Sequence, residues 1–405
     1  MSLSDRPART ILRAVSDAAA RWTDGDFPPR VRALDRVAQR TGYCEPAVEY
    51  AFDALFASLN AADLERAIAR ELGDVAALDG FVIRGRNRER ALPAGRVCIV
   101  SSRTTVGVAI VPAVFALLAK CDVLVKDRED ALVSAFFATL GEELHDFRNA
   151  AIAQTWDGAG RDLSEFDVVA AFGDDETLAS IARGLNWKTR FIGYGAKASA
   201  GYVGCESLST RRDAERVAEG AARDLALFET EGCLSLHALF VEAGGEVPPG
   251  EFAEILARAV RRAAIEFPPA RPDAAIAARV AAARDGASFR ASQGGFAVHS
   301  DAEASYLVEC DASGERPPDF LPRAIRLQVV DGPEAAAAYL RRHRVPLEAF
   351  ALDGVRDDLT RLAVGAGASR IASFGALQTP GAGSRHGGRP RIAEFVRWVS
   401  DERDA

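Results

Sequence analysis

Residues 93–130 read PAGRVCIVSSRTTVGVAIVPAVFALLAKCDVLVKDRED. GRVCIVSS (95–102) is a short β-rich run, as expected of a buried strand. PAVFALLAK (112–120) is made of good helix formers behind a proline, which suits a first helical turn. DVLVK (122–126) is strand-like again. Strand, helix, strand with short links marks a parallel sheet, because parallel neighbours need a crossover that packs back right-handed. The rhythm continues. EFDVVAAFG (165–173) predicts a strand ending in glycine. DDETLASIARGL (174–185) predicts a helix opening on acids, as the helix dipole favours. TRFIGYGAKASAGYVG (189–204) predicts a strand with glycine-rich turns. The first 230 residues therefore read as one doubly wound α/β domain, a fold that binds ligands beyond the carboxyl ends of its strands.

Working outward, RVRALDRVAQRTGY (30–43) and EPAVEYAFDALFASLNAADLERAIARELG (45–73) carry apolar residues at helical spacing. Only helical structure is expected of the first ninety residues. RRDAERVAEGAARDLALFETEG (211–232) predicts a long amphipathic helix running straight into Cys233, followed by a strand, LHALFVE (236–242). A second unit is expected to start at Cys233. It contains helices at 251–267 and 276–288, strands at 294–300, 306–310 and 324–331, and the helical stretch PEAAAAYLRRH. The tail holds the glycine-rich loop TPGAGSRHGGRP (379–390), and IAEFVRWVSDE (392–402) is expected to close as a helix.

The totals exclude several function classes. A chain of 405 residues with 48% hydrophobic and 27% charged residues has the composition of a soluble globular protein with two or three packed units. Its net charge of −8 gives no overall pull toward nucleic acid or anionic membrane. RGRNRER (84–90) reads as a solvated face. The N-terminus lacks a signal-peptide apolar core, and the most apolar run, VGVAIVPAVFALLAK (106–120), is too short to span a bilayer. A cytoplasmic location without a membrane span is the expectation. The six cysteines (44, 98, 121, 205, 233, 310) show no CxxC and no paired spacing with histidine, so neither a disulfide frame nor a metal site is expected. On the residues alone, Cys233 can be a packing thiol or a nucleophile.

Five stretches, in order, resemble one family. They are residues 93–130, DVVAAFGDDETLASIA (167–182), RFIGYGAKASAGYV (190–203), EGCLSLHALFVE (231–242) and SRIASFGALQTPGAGSRHGGRPRIAEFVRWVSDE (369–402). The chain resembles the acyl-CoA reductases of the bacterial luminescence type, a branch of the aldehyde dehydrogenase superfamily, from about residue 90 to 405. The resemblance implies an α/β, aldehyde dehydrogenase-like fold with a Rossmann-type cofactor domain and an α/β catalytic domain. Its expected divisions are a helical segment, 1–90, packed on the cofactor domain; the nicotinamide-cofactor domain, 91–230; the catalytic domain, 231–375; and a loop and helix, 376–405, returning to the cofactor domain. It implies reduction of an acyl thioester, delivered on coenzyme A or an acyl-carrier protein, to an aldehyde with NADH or NADPH, in a homo-oligomer.

Residue by residue, the resemblance makes Cys233 the nucleophile: a thiolate attacks a thioester, expels the carrier thiol and holds the acyl group. Lys126, at the end of a strand, would hydrogen-bond the adenosine ribose. Glu129 would face the same hydroxyls and disfavour a 2′-phosphate, while Arg128 would do the opposite. Gly173, Gly193 and Gly195 would let the backbone approach the cofactor. His237 shares one strand face with Cys233 if both lie in a strand, where it would tune the thiol or protonate an alkoxide. His386 sits in the C-terminal signature. His299 is a weaker candidate.

Three departures from the wider superfamily stand out. The glutamate that activates hydrolytic water falls on Gly193, so water attack on the acyl enzyme should be slow. The oxyanion-holding asparagine falls on Ser102 or Arg103, either of which can donate. Glu231 and Gly232 precede the nucleophile, and Glu229 and Glu231 would raise its pKa unless they point away. A coenzyme-A-acylating or other aldehyde dehydrogenase, an acyl-phosphate reductase, and a catalytically degraded subunit that keeps the fold remain as alternatives.

Overall fold

The computed structural model describes residues 2–102, 105–127, 131–156, 161–294 and 296–403. The chain divides into two compact units. The first comprises Met1–Thr41, Val48–Ala196 and Pro380–Ala405; the second comprises Gly42–Ala47 and Lys197–Thr379.

The first unit opens with helices α1 (Ala8–Trp22), α2 (Pro28–Thr41), α3 (Glu45–Ala57), whose first turn is counted with the second unit, and α4 (Ala61–Leu72). Their apolar faces meet at Trp22, which is fully buried and packs its ring against Phe52, Phe56 and Phe136. Its indole N–H donates to Thr139 Oγ1 at 3.1 Å, so the buried polar edge of the ring is satisfied. Strands β1 (Val82–Arg84) and β2 (Asn87–Pro93) follow, inside the stretch expected to be helical or solvated.

Next come β3 (Arg96–Val100), α5 (Ile110–Leu118), β4 (Asp122–Lys126), α6 (Leu132–Glu143), α7 (Phe147–Ala150), β5 (Ala151–Gln154), β6 (Val168–Phe172), α8 (Asp175–Arg183) and β7 (Arg190–Tyr194). The sheet order is β5-β4-β3-β6-β7, all parallel. The order reverses beside β3, which is the topological switch of a doubly wound fold.

The second unit holds β8 (Ala198–Val203), α9 (Arg211–Ala226), β9 (Leu236–Glu242), α10 (Pro249–Glu266), α11 (Ala274–Ser292), β10 (Phe296–Ser300), β11 (Leu307–Asp311), β12 (Ala324–Val330), α12 (Pro333–Arg342), β13 (Leu347–Leu352), α13 (Asp357–Gly365) and β14 (Arg370–Ala372). The sheet order is β10-β11-β12-β9-β8-β13-β14, parallel except where β10 meets β11. Strand β9 is buried at every position. Such strands read as continuous apolar runs because both faces are covered.

Four expectations need correction. The run 189–204 is two strands in two sheets: β7 closes the first unit's sheet, and β8 pairs with β9 and β13 of the second. The second unit therefore begins at Lys197 rather than at Cys233, and α9 belongs to it. Helix α9 does not run into Cys233. It ends at Ala226, and Phe228, Glu229 and Thr230 all take left-handed backbone angles, with φ of 57°, 51° and 59°. The closing segment is not a helix. After a 3-10 turn, β15 (Val396–Asp401) pairs antiparallel with β2, giving a three-stranded sheet β1-β2-β15. Partner strands three hundred residues apart leave only a weak period-two trace in either segment.

Candidate active site

Cys233 lies in the turn between α9 and β9, at the amino end of that strand. Three consecutive non-glycine residues at positive φ are costly, on the order of 1 kcal/mol or more each. The turn is fixed by buried polar contacts. Glu229, 7% exposed, meets the guanidinium of Arg323, 1% exposed, through Nε at 2.9 Å and Nη2 at 2.6 Å. Thr230 Oγ1 donates to the Leu225 carbonyl at 3.1 Å and accepts from the Arg323 N–H at 3.0 Å. Glu231 accepts from the Tyr43 hydroxyl at 3.0 Å, and burial pushes its carboxyl up. Both acids that crowd Cys233 in sequence are thus engaged by partners of their own.

The nucleophile's own neighbours come from other strands. Ser199 of β8 is fully buried. Its hydroxyl donates to the Cys233 carbonyl at 2.8 Å and accepts from the Ala349 N–H of β13 at 3.2 Å. Ser235 N–H donates to the Gly232 carbonyl at 2.9 Å, and Ser235 Oγ accepts from Gln378 Nε2 at 2.8 Å. The 375–378 loop is held in turn by Asp224, which is fully buried and accepts from the N–H groups of Gly375 at 2.7 Å and Leu377 at 3.0 Å. Burial pushes the Asp224 carboxyl up to about 7.

Burial also pushes the Cys233 thiol up to about 12. The Glu348 carboxylate raises it further, while Lys197 and two backbone N–H groups act in the opposite direction. The resting thiol is protonated at neutral pH.

His237 does not share a strand face with Cys233, because Cys233 precedes the strand. Its Nδ1 accepts from the Ser199 N–H at 3.3 Å, which leaves the proton on Nε2, donated to the Thr230 carbonyl at 3.0 Å. Burial lowers its pKa to about 4, so the ring is neutral and both nitrogens hold backbone. His237 is a fastener of the turn. His299, on β10, belongs to this unit too; burial lowers its pKa, and its Nε2 has no hydrogen-bond partner.

Sequence reasoning missed Ser199, Lys197 and Glu348. Lys197 Nζ lies 3.1 Å from Glu348 Oε2, and Glu348 is 2% exposed. The available signal was a lone acid inside the apolar run VPLEAFAL, since a charge buried in a strand needs a partner.

The remaining candidates lie in the first unit. Lys126 ends β4 and is 6% exposed, with its ammonium 5.1 Å from the centre of the Trp156 ring. Ser102 follows β3, and its carbonyl accepts from the Ser101 hydroxyl at 3.2 Å. Arg103, Arg128 and Glu129 lie outside the described residues. Gly173 follows β6, and its N–H donates to the Tyr194 carbonyl at 3.3 Å. A side chain at Gly195 would strike Asp175 Oδ1 at 2.8 Å, and one at Gly193 would press on the Phe191 ring at 3.1 Å. The space at Gly193 is bounded by Phe191 of β7 and Leu178 of α8, and that at Gly195 by Asp175 and Leu178 of α8. His386 stands beside Tyr194, ring centres 4.6 Å apart, and Tyr194 stacks on Phe172 at 4.6 Å. These three rings form a shelf where β6 and β7 end.

Among the described residues, one group has metal-ligand spacing: Cys205, Glu206 and Glu242. The Arg356 guanidinium already sits 2.8 Å from Glu242 and 3.0 Å from Glu206. No described helix is long and apolar enough to cross a membrane.

With this geometry in hand, comparisons place the chain. The family model described as Acyl-CoA reductase (LuxC) matches residues 3–398. No curated protein matches. Among solved structures, the chain is similar to an NAD-dependent benzaldehyde dehydrogenase from Corynebacterium glutamicum. That match has a TM-score of 0.70 and 14% identity, and covers 99% of this chain and 87% of that one. It is similar to glyceraldehyde-3-phosphate dehydrogenase GapN from Methanocaldococcus jannaschii complexed with NADP, at TM-score 0.70 and 9% identity, covering 98% and 90%. It is similar also to 1-pyrroline-5-carboxylate dehydrogenase from Thermus with bound NAD, at TM-score 0.65 and 14% identity, covering 98% and 82%. The parallel sheets, their order and the match across nearly the whole length lead to one conclusion: this chain belongs to the acyl-CoA reductase (LuxC) family, oxidoreductases built on the aldehyde dehydrogenase fold.

Proposed function

We propose that the protein reduces an acyl thioester, carried by coenzyme A or an acyl-carrier protein, to an aldehyde by way of an acyl group held on Cys233. The observation that carries this reading is the turn at 228–235. Buried pairs hold three strained residues so that a single cysteine is presented at the head of a fully buried strand. Backbone strain maintained by surrounding structure is a mark of functional sites.

A nicotinamide cofactor would supply the hydride that releases the acyl group as aldehyde. The first unit fits such a group at the carboxyl end of its parallel sheet. Lys126 offers a buried ammonium there, and the Phe172, Tyr194 and His386 shelf offers flat apolar surface. Helix α5 starts on Ala109 with no side-chain cap and no acid in its first turn, whereas α8 starts on Asp174 with two further acids. An anionic pyrophosphate suits the first and not the second.

The chain's own residues then have defined tasks. Ser199 positions the Cys233 carbonyl, and Gln378 positions Ser235 beside it. Gly193 stands where relatives that oxidise aldehydes to acids carry a water-activating glutamate. Its place is filled by packing of β7 on α8, so transfer to a thiol is favoured over hydrolysis. The same feature supports the reverse reaction, thiol-dependent oxidation of an aldehyde, as the second reading.

The test uses wild-type protein and Cys233→Ala with acyl-CoAs from butyryl to palmitoyl, each with NADH and NADPH. Wild type should consume cofactor and release aldehyde, and, without cofactor, gain one acyl mass on the peptide containing Cys233. Cys233→Ala should do neither. Absence of both signals from the wild type with every thioester refutes the proposal.

A further inference from the structure

Asp224 breaks two local rules at once. It is an acid in the last turn of α9, where the helix dipole disfavours negative charge. It is also fully buried, where a carboxylate is costly without partners. A residue that breaks local rules in this way marks a task beyond its own helix. Here the task is the 374–378 loop. Asp224 Oδ2 accepts from the Gly375 N–H at 2.7 Å, and Oδ1 accepts from the Leu377 N–H at 3.0 Å. One turn earlier on the same face of α9, Gly220 lets the loop come close, since a side chain there would strike the Phe374 carbonyl carbon at 2.7 Å. Arg370 of β14 donates to the carbonyls of Leu377 at 2.8 Å and Ala376 at 2.6 Å. One side chain thus takes the loop's N–H groups, and another takes its carbonyls.

Gln378 follows directly on this clamp. Its amide nitrogen donates to Ser235 Oγ at 2.8 Å and to the Asp224 carbonyl at 3.4 Å, which uses both of its hydrogens. Ser235 is fully buried, and its N–H donates to the Gly232 carbonyl at 2.9 Å, so the two residues bracket Cys233. The Gln378 amide oxygen also lies beside this turn: a side chain at Gly232 would sit 4.0 Å from Oε1 and 3.6 Å from Ser235 Oγ. The path then returns to its start. The nucleophile turn continues from α9, and Thr230 Oγ1 donates to the Leu225 carbonyl of that helix at 3.1 Å. The contacts close a ring that runs from α9 through the turn carrying Cys233, Ser235, Gln378 and the loop to Asp224 on α9 again. Strained backbone such as that at 228–230 persists only where its surroundings over-determine it.

Resting on the reading of Cys233 as the nucleophile, we propose that Asp224 and Gln378 are positioning residues for acyl transfer. Asp224 holds the loop, the loop holds Gln378, and Gln378 holds Ser235, so the Gly232–Ser235 turn keeps the Cys233 thiol in one place. The effect falls on the rate of attack rather than on substrate binding, because a shifted turn loses the near-attack separation of about 3–3.5 Å between reacting atoms. Asparagine at 224 would offer one acceptor and one N–H group, so it would satisfy one loop N–H and oppose the other. Methionine at 378 would keep the length of the side chain and remove both donors.

The experiment measures gain of acyl mass on Cys233 in a single turnover without nicotinamide, over a range of concentrations of whichever acyl-CoA, from butyryl to palmitoyl, acylates wild type fastest. It compares wild type with Asp224→Asn, Gln378→Met, Ser235→Ala and the Asp224→Asn/Gln378→Met double variant. Each single variant should acylate about tenfold more slowly at saturation, with the half-saturating concentration unchanged within about twofold. The double variant should be no slower than its slower parent, because both substitutions open the same ring. Gln378 is part-buried in a loop outside both sheets, so Gln378→Met decides the matter if Asp224→Asn does not fold. Acylation of Gln378→Met at the wild-type rate overturns the proposal, as does a double variant slowed by the product of its parents' factors. A half-saturating concentration that rises in step with the slowing overturns it too, since these residues would then hold substrate rather than the turn. If wild type itself gains no acyl group on Cys233, the nucleophile reading falls and this proposal with it; if wild type is acylated and Gln378→Met matches it, only the positioning role falls.

Discussion

The resting state of Cys233 can be measured without any substrate. With the thiol pushed up to about 12, the thiolate fraction at pH 8 is on the order of 10⁻⁴. An unperturbed cysteine near 8.5 is about one quarter thiolate at that pH. Alkylation by iodoacetamide should therefore be slower at Cys233 than at a free cysteine by a factor on the order of 10³, because the thiolate is the reacting species. The rate should climb about tenfold per pH unit up to pH 10 without levelling, since the pKa lies above that range. The other cysteines need separate counting. Cys98, Cys121 and Cys310 are buried, with thiols raised to about 12, 11 and 11, and Cys44 and Cys205 are raised as well. Peptide-level mass spectrometry after timed exposure resolves Cys233 from the rest. Fast labelling of Cys233 at pH 7, with a rate that levels off below pH 8, refutes the reasoning: it would mean that a preformed thiolate, not a protonated thiol, waits in the site.

Other consequences follow from the same contacts. Arg323→Met leaves Glu229 buried and unpaired and should cost about 3–5 kcal/mol in unfolding free energy, most of it regained in the Glu229→Gln/Arg323→Met double variant; a loss below about 1 kcal/mol by denaturant titration contradicts the role given to this pair. Asp224 has its folded pKa raised to about 7, above an unfolded value of about 3.9. Its contribution to stability is therefore complete below the unfolded value and is lost as pH rises through 7. Thermal unfolding of Asp224→Asn should show a flatter dependence between pH 4 and 8 than wild type, and identical curves count against it. Lys126→Met should raise the KM for NAD(P)H about tenfold by removing a charged hydrogen-bond donor, and an unchanged KM argues against cofactor contact there.

Much of this protein was legible because the relevant forces are local. The alternation of β-branched runs with helix formers between residues 95 and 185 marks a parallel sheet, since strands buried on both faces must be apolar throughout. The expected strands at 122–126 and 236–242 match β4 and β9. Cys233 stood out by its flanking pattern. What was not legible depends on distance along the chain. The split of 189–204 between two sheets is set by partners at 168–172 on one side and 236–242 and 347–352 on the other. The pairing of β2 with β15 joins the two ends of the first unit, and neither strand declares it alone.

The site divides the same way. Sequence by itself determined that a thiol follows a long amphipathic helix and precedes a buried strand, and that position 193 holds a glycine. Only the tertiary structure decided where the neighbouring acids go. Glu229 and Glu231 lie beside Cys233 in sequence, yet Arg323 and Tyr43 hold them. The carboxylate that acts most on the thiol is Glu348, more than a hundred residues away, brought in by a bulge in β13. A strand's side-chain direction follows its register, and register is set by which strands pair. That is information a sequence holds only through its fold.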